Sequence, residues 1–229
     1  MLQQALDLPV TPRYGFENFI SCAGNSTALE FSRRITNPAE PEKLLYLYGP
    51  SGSGKTHLLH AIGRQLTGEQ YQILSCRDLT TPLATNPGNL LLVDDLDQLP
   101  DRPELRNALW EAFNQQYSSG HTLALAGRFA PKELPTIDDH LISRLLWGLV
   151  ARLDVSDDRS RQMLIAKLAQ DRQIILPDDV ASWLLTVLPR DVGSLVAACD
   201  ALYRAALQRK CRISLRLARE LVLQGTLTP

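Results

Sequence analysis

Eight consecutive residues, Gly49-Pro50-Ser51-Gly52-Ser53-Gly54-Lys55-Thr56, meet the pattern G-x-x-x-x-G-K-[ST]. In such a loop the glycines let backbone N–H groups wrap around phosphates, and the following helix adds the positive end of its dipole. Lys55 suits the β and γ oxygens of a nucleotide, and the Thr56 hydroxyl suits magnesium. The expected ligands are ATP or ADP with Mg2+, held by Gly49, Pro50, Ser51, Gly52, Ser53, Gly54, Lys55 and Thr56, with His57 counted among them at the helix start. A second pair of groups follows the apolar run Leu90-Leu91-Leu92-Val93. It delivers Asp94 and Asp95 to the carboxyl end of a strand, where ligands bind in open α/β sheets. Alone, an apolar run ending in Asp-Asp reads equally well as a strand-to-turn boundary. After a phosphate loop it reads as a metal-shell carboxylate, Asp94, and a residue that orients or deprotonates the attacking water, Asp95. His57 and His60 stand i and i+3 on the same helix; with no third ligand apparent, packing is the preferred reading over a metal site.

These residues need elements to position them. Strand-like runs at Leu44–Tyr48, Tyr71–Leu74, Leu90–Val93, Thr122–Ala126 and Leu149–Val155 alternate with helical patterns at Thr56–Leu66, Glu104–Tyr117 and Ile137–Leu146. That alternation predicts a parallel five-stranded sheet flanked by helices. Past residue 155 the strand signal ends, and Asp157–Gln170, Pro177–Leu188, Val192–Gln208 and Ser214–Leu223 read as helices, with Ser156 and Ser214 as expected N-caps and Pro177 in a first turn. The expected organisation is therefore an extended tail over 1–13, an α/β core over 14–155 and an all-helical small domain over 156–229.

With 229 residues and 45% hydrophobic composition, the chain can bury a substantial core. Cys22, Cys76, Cys199 and Cys211 form no CxxC pair and no zinc-ligand spacing, so reduced thiols in a cytoplasmic protein are expected. No apolar run reaches the roughly 18 residues of a membrane helix; the stretch Leu141–Leu153 is broken by Arg144 and Arg152. No basic start and long apolar segment marks a signal peptide. A formal net charge of −1 disfavours a general polyanion binder, so direct DNA binding is expected to be weak or absent. The basic cluster Arg204, Arg209, Lys210, Arg212, Arg216 and Arg219 reads as a solvated helix face, with contact to nucleic acid or an acidic partner as the alternative.

Further matches carry a resemblance. Pro12-Arg13-Tyr14-Gly15-Phe16-Glu17-Asn18-Phe19, the run Gly54–Gly63, Leu91-Leu92-Val93-Asp94-Asp95-Leu96, Ala130-Pro131-Lys132-Glu133-Leu134 and Ser143-Arg144-Leu145-Leu146-Trp147-Gly148-Leu149 together resemble the AAA+ domain of the bacterial replication initiator DnaA. The resemblance covers about residues 12 to 210 and implies an AAA+ P-loop core with a small helical lid. The sequence as given leaves no room for a duplex-reading module, and in this its architecture is similar to the Hda family of DnaA homologues. Members of that family act with the sliding clamp to switch off ATP-bound DnaA. The resemblance then implies DnaA as a partner, a location at the nucleoid through partners, and a homo-oligomer as a further form. It also implies a clamp-docking motif over residues 4–10, carried by Gln4, Leu6, Leu8 and Pro9, with one residue inserted relative to the family pattern.

Departures from the family pattern shape the expected mechanism. Between the second and third strands, Cys76–Asn89 is too short for the helical pair with which DnaA contacts single-stranded DNA. At the family's first sensor position, Ala126-Gly127-Arg128-Phe129 puts Arg128 where an acidic residue is usual. At its second sensor position, Gly193 replaces an arginine, with Arg190 nearby as the only substitute. Weak intrinsic hydrolysis is expected. Arg144, by contrast, matches the arginine finger that acts on nucleotide held by a neighbouring subunit; taken apart from the resemblance, it would read as a surface arginine. The resulting expectation is a regulator that promotes hydrolysis of DnaA-bound ATP. The alternatives are an autonomous AAA+ ATPase such as a helicase loader, and a nucleic-acid-binding paralogue.

Overall fold

A computed structural model describes residues 14–81, 88–171 and 173–225. The tail carrying Gln4, Leu6, Leu8 and Pro9 lies outside the described residues. Two compact units result, Tyr14–Asp154 and the residues from Val155 on.

In Tyr14–Asp154 the chain runs α1 (Ser26–Ile35), β1 (Leu44–Tyr48), α2 (Lys55–Thr67), β2 (Ile73–Ser75), β3 (Leu90–Asp94), α3 (Pro103–Ser118), β4 (Thr122–Gly127), α4 (Asp139–Leu145) and β5 (Leu149–Arg152). The five strands are parallel, in the order β2-β3-β4-β1-β5. The apolar runs of the central strands β3, β4 and β1 are continuous because both faces are covered. Leu44, Tyr46, Leu91, Val93, Leu123 and Leu125 pack under Leu105, Leu109 and Phe113 of α3 and Leu141 and Leu145 of α4. The alternating set Leu45, Leu47, Leu92, Ala124, Ala126 and Ala151 packs against Ala28 and Ile35 of α1 and Leu58, Leu59 and Ile62 of α2.

The differences from the sequence reading have local causes. Helix α1 is absent from that reading, although Ala28, Ser32 and Ile35 sit at helical spacing and are buried together. Strand β2 starts two residues later than expected because Tyr71 turns aside. Its hydroxyl lies 2.9 Å from His60 Nδ1, and its ring covers Gly63, where any Cβ would come within 2.4 Å of it. Strand β5 ends at Arg152 because β1 leaves the sheet after Tyr48, whose carbonyl accepts a last hydrogen bond from Leu153 N–H at 2.7 Å. Between β2 and β3 the chain makes a short 3₁₀ turn at Cys76–Asp78; the rest of the shortened crossover falls partly on residues 82–87, outside the described set.

The second unit is helical: α5 (Asp158–Asp171), α6 (Asp178–Val187), α7 (Val192–Arg209) and α8 (Leu215–Leu223). Asp157, not Ser156, caps α5, its carboxylate accepting the Ser160 N–H at 2.9 Å. A carboxylate is the stronger acceptor at the positive end of the helix dipole. Ser214 caps α8 as expected, and Pro177 stands just before the first turn of α6. Arg161 is buried in this unit, 2% exposed, and donates to the carbonyls of Leu185, Leu188 and Pro189 where α6 ends. Among the described residues, no helix is long and apolar enough to cross a membrane.

Candidate functional site

All five strands run the same way, so their carboxyl ends share one edge of the sheet. The phosphate loop leaves β1 at that edge. Gly49 has φ 150°, and a Cβ there would meet the Leu153 carbonyl oxygen at 2.1 Å. Gly54, with φ 103°, opens helix α2. No side chain larger than hydrogen suits either place. Lys55 is buried, and its Nζ donates to the carbonyls of Gly49 and Pro50, both at 2.8 Å, inside the curl of the loop. Burial holds its pKa below the ordinary lysine value, while Asp94, Asp97 and Asp95 oppose that shift and Arg128 adds slightly to it. These groups therefore share one electrostatic neighbourhood. The buried Ser53 hydroxyl has no hydrogen-bond partner among the described residues. An orphaned hydroxyl, a buried cation and the N–H groups of a helix's first turn make a donor set that fits a phosphate chain.

Strand β3 brings its carboxylates to the same edge. Thr56 Oγ1 donates to Asp94 Oδ2 at 2.5 Å, so the two oxygens suited to magnesium are already adjacent. Asp95 stands in the left-handed region with φ 54°, its N–H donating to Asp94 Oδ1 at 2.8 Å and its carboxylate 3.5 Å from Arg77 Nη2. Burial and the neighbouring Asp94 raise its pKa against the pull of Arg77.

His57 plays another part. Its Nε2 lies 2.9 Å from the Gly15 carbonyl oxygen, with the Tyr14 and Phe19 rings set edge-on at 5.2 and 5.3 Å. The imidazole ties residues 14–19 to α2, which leaves the backbone of His57 as the part suited to a nucleotide. His60 stacks on Tyr14 at 4.9 Å. No cluster of metal-ligating side chains occurs among the described residues.

Sequence reasoning passed over Asp97. Its side chain, 1% exposed, accepts from Arg128 N–H at 2.8 Å, Arg128 Nε at 2.9 Å and Gln98 Nε2 at 2.9 Å. Burial pushes its pKa up, but those hydrogen bonds outweigh burial and leave it lowered. The spacing of Asp94, Asp95 and Asp97 was the available signal.

Arg144 belongs to the opposite, amino-terminal edge. It lies in the last turn of α4, just before β5 begins at Leu149. Its guanidinium carbon sits 4.2 Å from the Trp147 ring centroid and 5.9 Å from that of Tyr117, near the end of α3 and ahead of β4. Trp147 is 57% exposed. The five residues of β1 put roughly 13–16 Å of strand between this edge and the phosphate loop. In the helical unit, Gly193 is exposed in the first turn of α7. Arg190 is engaged within that unit, 2.9 Å from Asp158 and donating to the Ser156 carbonyl at 2.8 Å.

Residues 10–75 and 84–152 match the family model for the bacterial DnaA ATPase domain, more than half of the chain. The chain belongs to that family. Residues 157–222 match the model of the Hda lid domain, so a DnaA-type ATPase domain is followed by an Hda-type lid. The chromosomal replication initiator protein DnaA of Caldanaerobacter subterraneus subsp. tengcongensis is 26% identical over 231 residues, 92% of this chain and 52% of that protein. DnaA of Symbiobacterium thermophilum is 27% identical over 230 residues, 91% of this chain and 50% of that protein. The chain thus spans about half the length of the curated relatives it matches. Among solved structures, domain III of Thermotoga maritima DnaA superposes with a TM-score of 0.81 at 24% identity, covering 96% of this chain and all of that one. AMPPCP-bound DnaA from Aquifex aeolicus gives 0.73 at 24% identity, with 87% and 68% covered. The Thermotoga maritima RuvB branch migration motor gives 0.64 at 18% identity, with 86% and 66% covered. The fold is an AAA+ P-loop core with a C-terminal helical lid.

Proposed function

We propose that this chain is a nucleotide-binding AAA+ regulator of bacterial replication initiation, resembling Hda, that acts with the sliding clamp to promote hydrolysis of ATP held by DnaA. The observation that carries this reading is the position of Arg144. Its guanidinium rests on Trp147 at the amino-terminal edge of the sheet, while Lys55 lies at the carboxyl edge. An arginine so placed is suited to a γ-phosphate presented by another molecule, where a cation in trans is worth about 10³ to 10⁵ in rate.

Nucleotide binding by this chain is supported by the fit of Gly49–Thr56 and by the AMPPCP bound to the related Aquifex aeolicus protein. The ligand is ATP or ADP with Mg2+, which supplies the charged phosphates and a Lewis-acidic ion. Lys55 would hold the β oxygens and, with ATP, the γ oxygens; Thr56 and Asp94 would hold the ion, and Asp95 would orient water. Intrinsic turnover is weak in this reading, because Gly193 offers no arginine. Gln4, Leu6, Leu8 and Pro9 dock the chain on the clamp, which places it in the cytoplasm at the nucleoid with little direct DNA contact of its own. Because the two edges of the core complement one another, a second copy of this chain is a further candidate for the molecule that receives Arg144.

The test is turnover of DnaA-bound ATP in the presence of clamp and DNA. Arg144→Ala is expected to lower the stimulated rate about 10³-fold or more, and deletion of residues 1–13 to bring it to the level seen without clamp. Unchanged turnover in both variants overturns the proposal. The adjacency of Thr56, Asp94 and Asp95 supports a second reading, an autonomous ATPase. Robust hydrolysis by the purified protein alone, abolished by Asp95→Asn, favours it.

A further inference from the structure

The last two helices of the helical unit meet in a basic patch that the proposed function leaves unused. Between Arg204 and Arg219 the chain holds six cations and no acid, although its net charge is −1. Helix α8 packs against both α7 and α6, and this draws five of the cations together. Arg209 at the end of α7 and Arg216 on α8 both reach the Glu220 carboxylate, at 2.5 and 3.5 Å, and Arg219 is the residue before Glu220. Lys210 and Arg212 lie in the link between the two helices. All five are exposed, and the side chains of Lys210, Arg212 and Arg219 make no hydrogen bond or ion pair with another described residue. Five cations against one carboxylate leave a net charge of four. Asp178 and Asp179 of α6 make no ion pair with them, and Asp200 stands nine residues before Arg209, ~13 Å back along α7.

The link between the helices is ordered. Cys211 N–H donates to the Ala206 carbonyl at 3.1 Å, Ile213 is buried, and the Ser214 hydroxyl accepts from Leu217 N–H at 3.4 Å. Lys210 ends α7 with φ 49°, in the left-handed region where glycine is the unstrained choice. A cation thus occupies a place that backbone geometry favours for glycine. Charges fixed on a folded scaffold lose less freedom on meeting a partner than charges on a loose tail.

We infer that this patch is a sequence-independent contact for the phosphate backbone of duplex DNA, weak by itself and separate from the nucleotide site. Phosphates follow one another at about 3.4 Å of rise along each strand, and neutralising them takes several cations and no apolar anchor. Arg216 to Arg219 spans ~5 Å of α8, and Arg212 and Lys210 extend the row ahead of the helix. A membrane is disfavoured, because Leu217, Ala218 and Leu221 are buried and Leu223 is the one large apolar residue that α8 exposes. A protein partner would need a desolvated apolar or aromatic centre, whereas α7 exposes only Tyr203 and Leu207 of that kind. The contact adds to the proposed function without depending on it; a chain brought to DNA by the clamp would meet the phosphates at raised local concentration.

The experiment is fluorescence anisotropy of a labelled mixed-sequence duplex, titrated with the purified full chain at several salt concentrations. Four neutralised phosphates predict an affinity that falls about 100-fold between about 50 and 200 mM salt, a slope of about −3 to −4 on logarithmic axes. Lys210→Gly should weaken binding about tenfold at the lower salt and make the slope shallower by about one. Its melting temperature should be no lower than that of the wild-type chain, because glycine suits the end of α7. Adding Arg212→Ala should take about one more from the slope. Arg159→Ala removes the same charge from the start of α5, where Asp158 meets Arg190 just ahead of α7, ~27 Å of helix from Lys210. It should leave the affinity within about twofold. Binding that ignores salt, that survives the combined variant or that falls as far in Arg159→Ala overturns the inference. So does the absence of duplex binding at the lower salt, or tighter Lys210-dependent binding to phosphatidylserine vesicles than to the duplex.

Discussion

The two edges of the sheet hold their charged groups in opposite ways. At the carboxyl edge, Lys55, Asp94 and Asp97 are buried and spoken for by Gly49 and Pro50, Thr56, and Arg128. At the amino-terminal edge, Arg144 has an aromatic platform, Trp147 and Tyr117, and Trp147 is more than half exposed. The first arrangement is a preorganised cradle, in which a low local dielectric makes each contact count. The second is a cation held ready on the outside, where a π face attracts it without consuming its hydrogen-bond donors. In the proposed function this becomes the contrast between a site which receives a ligand and a side chain which is given to one.

Several substitutions can break or sharpen that contrast. The largest effect on binding is expected from Lys55→Ala, which should weaken nucleotide affinity about 100-fold, whereas Arg144→Ala leaves it within about twofold in a fluorescence titration. Comparable losses in the two variants would mean that the edges do not work separately. Next, Trp147→Ala should lower Arg144-dependent turnover about tenfold, with Trp147→Phe retaining part of it, on the scale of a partly desolvated cation–π contact. A Phe variant as poor as Ala would show that the ring does not hold the guanidinium.

Smaller effects concern protons. Burial and Asp94 raise the Asp95 pKa, so the native state binds that proton more tightly than the unfolded chain does. The stabilising part is complete at acid pH and is lost as pH rises through the raised value, leaving an ionised carboxylate that costs stability at neutral pH. Asp95→Asn should therefore raise the melting temperature at pH 7.5 by about 1–3 °C. His57 goes the other way, because burial lowers its pKa. Its contribution is present above the ordinary histidine value and is lost as pH falls through the lowered one. His57→Gln should lose about 1–2 °C less than wild type between pH 7.5 and 5.5 in a thermal melt. Equal acid sensitivity in both would place the titrating group elsewhere.

How much was legible follows from how local each feature is. The three central strands could be read because runs buried on both faces are apolar throughout, as in Leu91-Leu92-Val93 of β3 and Leu123-Ala124-Leu125-Ala126 of β4. Helix α1 escaped because Arg33 and Arg34 interrupt a stripe that only the sheet's second face completes. The cap of α5 was misplaced by one residue because Ser156 and Asp157 both qualify by type, and the chain's path chose the carboxylate. The role of His57 was out of reach, since its partner Gly15 lies 42 residues away.

The sequence by itself determined the phosphate loop, because Gly49, Gly54, Lys55 and Thr56 lie together in one short segment between strand and helix. It also determined that Asp94 and Asp95 follow a buried strand. Only the tertiary structure decided that Thr56 meets Asp94, that Asp97 pins Arg128 beside the loop, and that Arg144 stands on Trp147 at the far edge. The physical reason is the parallel sheet. It gathers every strand's carboxyl end on one side and every helix-to-strand turn on the other, sorting residues by strand direction rather than by distance along the chain.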